Sequence, residues 1–371
     1  MPNRLPTVWD IEPHTIAKHQ ILKRYFDAWL PILTTWTRVI FIDGFAGPGV
    51  YRGGEPGSPI IVLRAACDRQ PPVAGDVTFV FVEKDDSRYQ VLLQELDKMT
   101  PSLPTRFTVV PIPGKFDQLE SELDRIHGEG KVLVPALAFI DPFGITGFPM
   151  RLVAKVLKNP HTEVMVTFMV ETLDRFAEKV LPKQATELYG DESWRSCVGL
   201  LNQRDRQLCL VKRYRGRLKE AGAKFTLAFE MADQEDRTIY FLVYATTHEL
   251  GMQKMKDAMA GVDPTMNYRF SDLVPQEQRR LFDFGDAGSW APLAADVVWR
   301  HFTGQAVRVE EVKRFVIRDE NHVFPWRVAI LRELYNRNPP AVRYVDRPNR
   351  KGSFLEHLLI QFATFPGSRS G

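Results

Sequence analysis

A chain of 371 residues is long for one hydrophobic core and suits two, and 44% hydrophobic with 26% charged residues excludes wholesale disorder and fibrous repeats. Net charge is only +3, which excludes a protein coated in positive charge. The charge is uneven, because residues 301–371 hold twelve Lys or Arg against seven Asp or Glu, a balance of +5 that leaves −2 for the first 300.

After an N-terminal stretch of helical spacing, short apolar runs alternate with amphipathic segments. VIFIDGF (39–45), VTFVFVE (77–83), FTVVPI (107–112), ALAFIDPF (136–143) and EVMVTFMV (163–170) are nearly continuous in apolar character. Runs of this kind suit strands buried on both faces of a parallel sheet. SRYQVLLQELDKM (87–99) and FDQLESELDRI (116–126) between them carry apolar residues at helical spacing. Strand then helix, repeated, predicts an α/β, doubly wound sheet. A helix-rich insertion over about 172–222 precedes KFTLAFEM (224–231) and TIYFLVYATT (238–247), which read as an antiparallel hairpin. A turn-rich stretch, FDFGDAGSWAP (282–292), divides the chain into domains 1–285 and 286–371. The second predicts three helices, LAADVVWRHF, VEEVKRFVI and PWRVAILRELYNRN, with Pro325 near the start of the third. A basic hairpin, VRYVDRPNRKGSF, and a last strand, HLLIQFA, complete it. Two readings of this module stand side by side. It is a winged-helix-like domain whose Arg343, Arg347, Arg350 and Lys351 bind nucleic acid, or a small helical lid with solvated charges.

The three cysteines, Cys67, Cys197 and Cys209, share no CxxC or similar spacing, which argues against a disulfide framework or a cysteine zinc site and for a reducing, cytoplasmic setting. No segment approaches about 20 consecutive apolar residues, so no membrane span is expected. MPNRLPTVWDIEPHT lacks the apolar core of a signal peptide.

Three motifs carry chemistry. In FIDGFAGPG (41–49), Gly44, Gly47 and Gly49 follow the first strand, where a glycine loop lets the backbone approach a ligand. Asp43 can hold a cationic amino group there; a plain strand-to-loop turn explains GxG alone equally well. In FVEKDD (81–86), Glu83 ends the second strand about 40 residues after Asp43 and can accept both ribose hydroxyls of an adenosine. In FIDPFG (139–144), Asp141 and the carbonyl of Pro142 can accept hydrogens from an exocyclic amine, and Phe143 can stack on a flat ring. An Asp-Pro turn is the plainer alternative. The order of the three, on strands one, two and four, argues for a common site.

The order DGFAGPG, EPGSP, VEKD, IDPFG resembles the S-adenosylmethionine-dependent methyltransferases, whose class I sheet also ends in an antiparallel hairpin. More narrowly, AKHQILKRYFDAW (17–29), EPGSP (55–59), IDPFG and ATTHELGMQKMKDAM (245–259) resemble the bacterial three-Cys-motif partner proteins, a resemblance that implies a partner protein with three cysteines. The chain is also similar to bacterial ribosomal-RNA adenine-N6 methyltransferases carrying KHxxL, DxHAGxG, PGSP and DPPY. That resemblance implies that His19 and Ser58 sit beside S-adenosylmethionine, that Glu83 binds its ribose and that Asp141 is the catalytic acceptor. Phe45 stands where that family has histidine, and DPFG stands for DPPY, with the ring one position early. DPFG is similar as well to the motif of tRNA guanine-N2 dimethyltransferases. The resemblance implies methylation of a base amine without fixing the base.

The eight histidines show no HExxH or paired metal spacing, so no metal is expected. His248 in THELG reads as a capping residue. Glu171 reads either as a cleft residue that orients substrate or as a helix-start acid. Tyr25, Trp29 and Trp36 read as core packing. The expected function is methyl transfer to an exocyclic amine of a nucleobase in RNA or DNA. Two alternatives remain: a non-catalytic or partner-dependent subunit acting with the three-Cys-motif protein, and a methyltransferase of small molecules or peptides.

Overall fold

The continuous apolar runs form the middle of one sheet. The computed structural model describes residues 6–35, 37–119, 135–263, 269–271, 290–322, 324–346, 348, 350 and 352–366. Strands β1 (Val39–Asp43), β2 (Val77–Glu83), β3 (Phe107–Pro113), β4 (Ala136–Ile140), β5 (Glu163–Phe168), β6 (Phe225–Ala232), β7 (Thr238–Thr246) and β8 (Arg269–Ser271) make an eight-stranded sheet in the order β3-β2-β1-β4-β5-β7-β6-β8. β1 to β5 run parallel, and β7 is antiparallel to both β5 and β6. Every residue of β1, β4 and β5 is buried. That is why their sequences do not alternate: helices cover both faces, and neither face meets water.

Helix α1 (Pro13–Thr34) precedes the sheet and buries Ile21, Leu22, Phe26 and Trp29, so Tyr25 and Trp29 are core residues as read. α2 (Ser58–Cys67) starts with Pro59 in its first turn, where a missing N–H costs nothing. α3 (Asp86–Met99) is capped by Asp85, whose side chain accepts from Arg88 N–H. Of FDQLESELDRI, only Phe116–Leu119 lies among the described residues, and its first three residues form a short helical turn. Trp36 and most of 282–292 lie outside the described residues.

The insertion after β5 corrects one expectation. Cys197 and Cys209 are joined, their Cα atoms 5.5 Å apart, linking the helices Arg195–Val198 and Gln203–Glu220. Spacing cannot reveal such a bond; it needs the helices packed first. No helix among the described residues is long and apolar enough to cross a membrane.

The chain divides into two compact units, Met1–Ala258 with Arg269–Leu273, and Met259–Tyr268 with Val274–Gly371. The second contains helices Ala291–His301, Val309–Arg318 and Ala329–Asn336 and a three-stranded antiparallel sheet, β10-β11-β9, of Ala306–Arg308 (β9), Val342–Tyr344 (β10) and Leu359–Phe362 (β11). Ala295, Val312, Ile330, Leu334, Val342 and Ile360 fill its core. The third helix starts at Ala329, four residues after Pro325, later than the sequence suggests.

Candidate active site

The strand order reverses between β1 and β4, which are direct neighbours (Asp43 opposite Phe139). Loops leaving the carboxyl ends of such strands diverge and leave a cleft. Here a cavity of about 240 Å³ opens at that point, lined by the loop Phe45–Tyr51, Ser58, Asp141, Pro142 and Phe143, with Trp9, Lys18, His19, Thr167 and Tyr240. His19, Phe45, Gly47, Gly49, Ser58, Asp141, Pro142 and Phe143 are thus brought together on one wall. Asp43, Gly44 and Glu83 are not on the cavity wall.

Gly47 and Gly49 adopt φ of +62° and +75°, the left-handed region where a side chain is strained. Their turn keeps the loop backbone on the wall. Behind it, Glu83 accepts from Gly47 N–H at 2.9 Å and from Asp85 N–H at 2.8 Å. Each carboxylate oxygen retains a second lone pair.

Asp43 is fully buried; Ser58 Oγ donates to its Oδ2 at 2.6 Å and Phe45 N–H to its Oδ1 at 3.1 Å. Burial pushes its carboxyl up to about 7, against those two bonds. The Ser58 bond ties the start of α2 to the end of β1. His19 is also buried, and burial, helped by the adjacent Lys18 charge, pulls its imidazole down to about 3. Its Nδ1 has no partner among the described residues. Phe45 packs on Phe116 and Phe148, each 6.1 Å away between centroids, and offers the cavity an apolar wall.

Lys18, like Trp9 and Tyr240, lies on the cavity wall without having been singled out in the sequence. Its Nζ donates to Asp141 Oδ2 at 2.5 Å, with the two side chains 6% and 19% exposed. The signal was its place beside His19 in AKHQ. Phe143 is 53% exposed and sets its ring at 5.2 Å from Trp9 and 5.0 Å from the Arg88 guanidinium. Glu171 lies off the cavity wall and pairs with Arg175 at 3.1 Å on the same helix. His248 caps as read, its Nδ1 accepting from Leu250 N–H at 3.1 Å. Among the described residues no group of three or more His, Cys, Asp or Glu side chains could hold a metal ion.

The sheet and the cleft at its reversal point define a doubly wound, Rossmann-like α/β protein. No family model matches the chain, and no curated protein does. Solved structures do. A protein of Legionella pneumophila is 12% identical over 63% of this chain and 85% of its own, with a TM-score of 0.37. An O-methyltransferase of Bacillus cereus in complex with SAH is 14% identical over 64% and 82%, TM-score 0.35. A human methyltransferase 10 domain containing protein is 14% identical over 61% and 82%, TM-score 0.30. Likenesses this distant carry no weight for the activity.

Proposed function

We propose that the chain is an S-adenosylmethionine-dependent N-methyltransferase acting on an exocyclic amine of a nucleobase in RNA or DNA. The observation that carries this is the place of Asp141. It directly follows β4 on the wall of a glycine-loop cavity and already holds a nitrogen donor, Lys18 Nζ, at 2.5 Å. A carboxylate that binds an N–H there can bind a substrate amine and leave its lone pair aimed elsewhere. The donor set fits the cofactor: a loop without side chains at Gly47 and Gly49, and two buried polar atoms of the cavity residues, His19 Nδ1 and Thr167 Oγ1, without partners among the described residues. His19, Ser58 and the loop would hold it, with Glu83 toward the ribose. Bound there, it supplies an electrophilic methyl group on a sulfonium. Asp141 and the Pro142 carbonyl then orient the amine for in-line attack, which contributes several kcal/mol through positioning alone.

The second unit we read as winged-helix-like, its three helices and small sheet presenting basic side chains to phosphates. Arg343 and Arg350 are exposed. Arg347 and Lys351 lie outside the described residues.

Titration calorimetry with S-adenosylmethionine and S-adenosylhomocysteine tests the cofactor, and transfer of labelled methyl to single-stranded RNA and DNA tests the substrate. Asp141→Ala is expected to keep cofactor binding and lower transfer by about a hundredfold or more. A second reading, a non-catalytic subunit of a three-Cys-motif partner, is favoured by one observation: Glu83 and Asp141 already have donors from this chain. Absence of cofactor binding would decide for it.

A further inference from the structure

Lys18 marks a place where a nitrogen donor rests. Its Nζ is bonded to Asp141 and lies 5.4 Å from the centroid of the Tyr240 ring. One corner of the cavity therefore offers a carboxylate and an aromatic ring to the same N–H group. Tyr240 comes from the far strand β7, is 3% exposed, and is fixed by its hydroxyl, which donates to the His14 carbonyl at 3.2 Å. His14 also meets its ring edge-on at 5.7 Å. No other ring serves this corner from the Asp141 loop. Phe143 faces Trp9 and Arg88, and a Cβ at Gly144 would meet nothing within 4 Å.

We infer that Tyr240 is the substrate-contacting wall of the acceptor site. A flat, amine-bearing ring lies on Tyr240 and presents its amine to Asp141, in the corner that the Lys18 ammonium holds in its absence. Lys18 must swing aside to admit it. The inference rests on the nucleobase reading above and adds the residue that selects a planar amine. Stacking is sequence-tolerant, because every base has a face, so Tyr240 selects for planarity while Asp141 selects for the amine.

The test uses 9-methyladenine, 9-methylguanine and 1-methylcytosine as probes, each added to the full chain with S-adenosylhomocysteine and followed by saturation-transfer NMR. At least one probe is expected to bind the wild type. Tyr240→Phe, which keeps the ring and loses only the bond to His14, should hold its affinity within about twofold. Tyr240→Leu should weaken it by about tenfold or more, while S-adenosylhomocysteine still binds, which shows that the variant is folded even though its melting temperature falls. Equal binding by Tyr240→Leu and wild type, with loss in Asp141→Ala, would overturn the role of Tyr240 and leave the nucleobase reading standing. Failure of all three probes to bind the wild type would overturn both, so binding by the wild type itself distinguishes the two failures.

Discussion

Burial acts on Asp43 and His19 in opposite directions, and the consequences for pH are opposite too. The folded Asp43 keeps its proton to about pH 7, whereas an unfolded aspartate loses it near 4. Its contribution to stability is therefore full below about pH 4 and is lost as pH rises through 7. The folded His19 refuses a proton down to about pH 3, whereas the unfolded imidazole takes one near 6.5. Its contribution is present above pH 6.5 and is lost as pH falls toward 3. In urea unfolding, His19→Gln should compare more favourably with the wild type at pH 5 than at pH 7.5; a gap independent of pH would refute the buried neutral imidazole. Ser58→Ala removes the hydroxyl that donates to Asp43 and should cost about 1–3 kcal/mol. The loss should be larger at pH 8, where the carboxylate is ionised, than at pH 5. Both residues stood out in the sequence as motif members, but their relation to each other did not. Nor did Lys18 and Asp141, 123 positions apart, since linear spacing carries no information on such a pair.

At the level of elements, the disulfide and one glycine make distinct predictions. The Cys197–Cys209 bond closes a loop of 12 residues, for which chain entropy gives about 2–3 kcal/mol. Alkylation of the unfolded, unreduced chain should label Cys67 alone, and reduction should expose all three thiols and lower the melting temperature. Labelling of three without reductant would show the pair to be open. Gly251 sits in the helix Glu249–Ala260, where a Cβ would come 2.3 Å from Glu163 Oε1 and 2.7 Å from the Tyr244 hydroxyl. Gly251→Ala should therefore lower the melting temperature, although alanine is the better helix former by about 1 kcal/mol. The parallel strands were legible because burial on both faces writes itself as an unbroken apolar run. β8 and β9 were not, because three residues are too few to show a period. Proline also misled: Pro325 reads as a first-turn residue, yet the chain stays non-helical to Arg327.

At the scale of the whole molecule, the strand order rather than any single motif gathers the site. The chain enters the sheet at its middle, runs out to β3 and returns to β4, which places Asp43 and Asp141 at neighbouring strand ends. The rhythm of strands and helices announced that sheet; the cavity wall from Trp9 and Tyr240 was hidden, since neither residue belongs to a motif. If the second unit grips phosphates, reversing Arg343 and Arg350 to glutamate should weaken nucleic-acid binding and lower the salt slope by about one per lost contact. An unchanged slope would assign those arginines to solvent.

The reach of α1 has a consequence for synthesis. Tyr25 bonds the Tyr244 hydroxyl at 2.5 Å across 219 positions, and Tyr240 reaches back to His14. Translation at about 5–20 residues per second separates the two halves of that contact by roughly 10–45 s. For most of that interval α1 has left the ribosome while β7, which supplies those two bonds, is still unmade. Phe26 can already pack on Phe41 and Phe79, but the Tyr25 hydroxyl and the His14 carbonyl still lack their β7 partners, and a ribosome-bound chain stalled near residue 200 should be cut by protease within α1 faster than the finished chain.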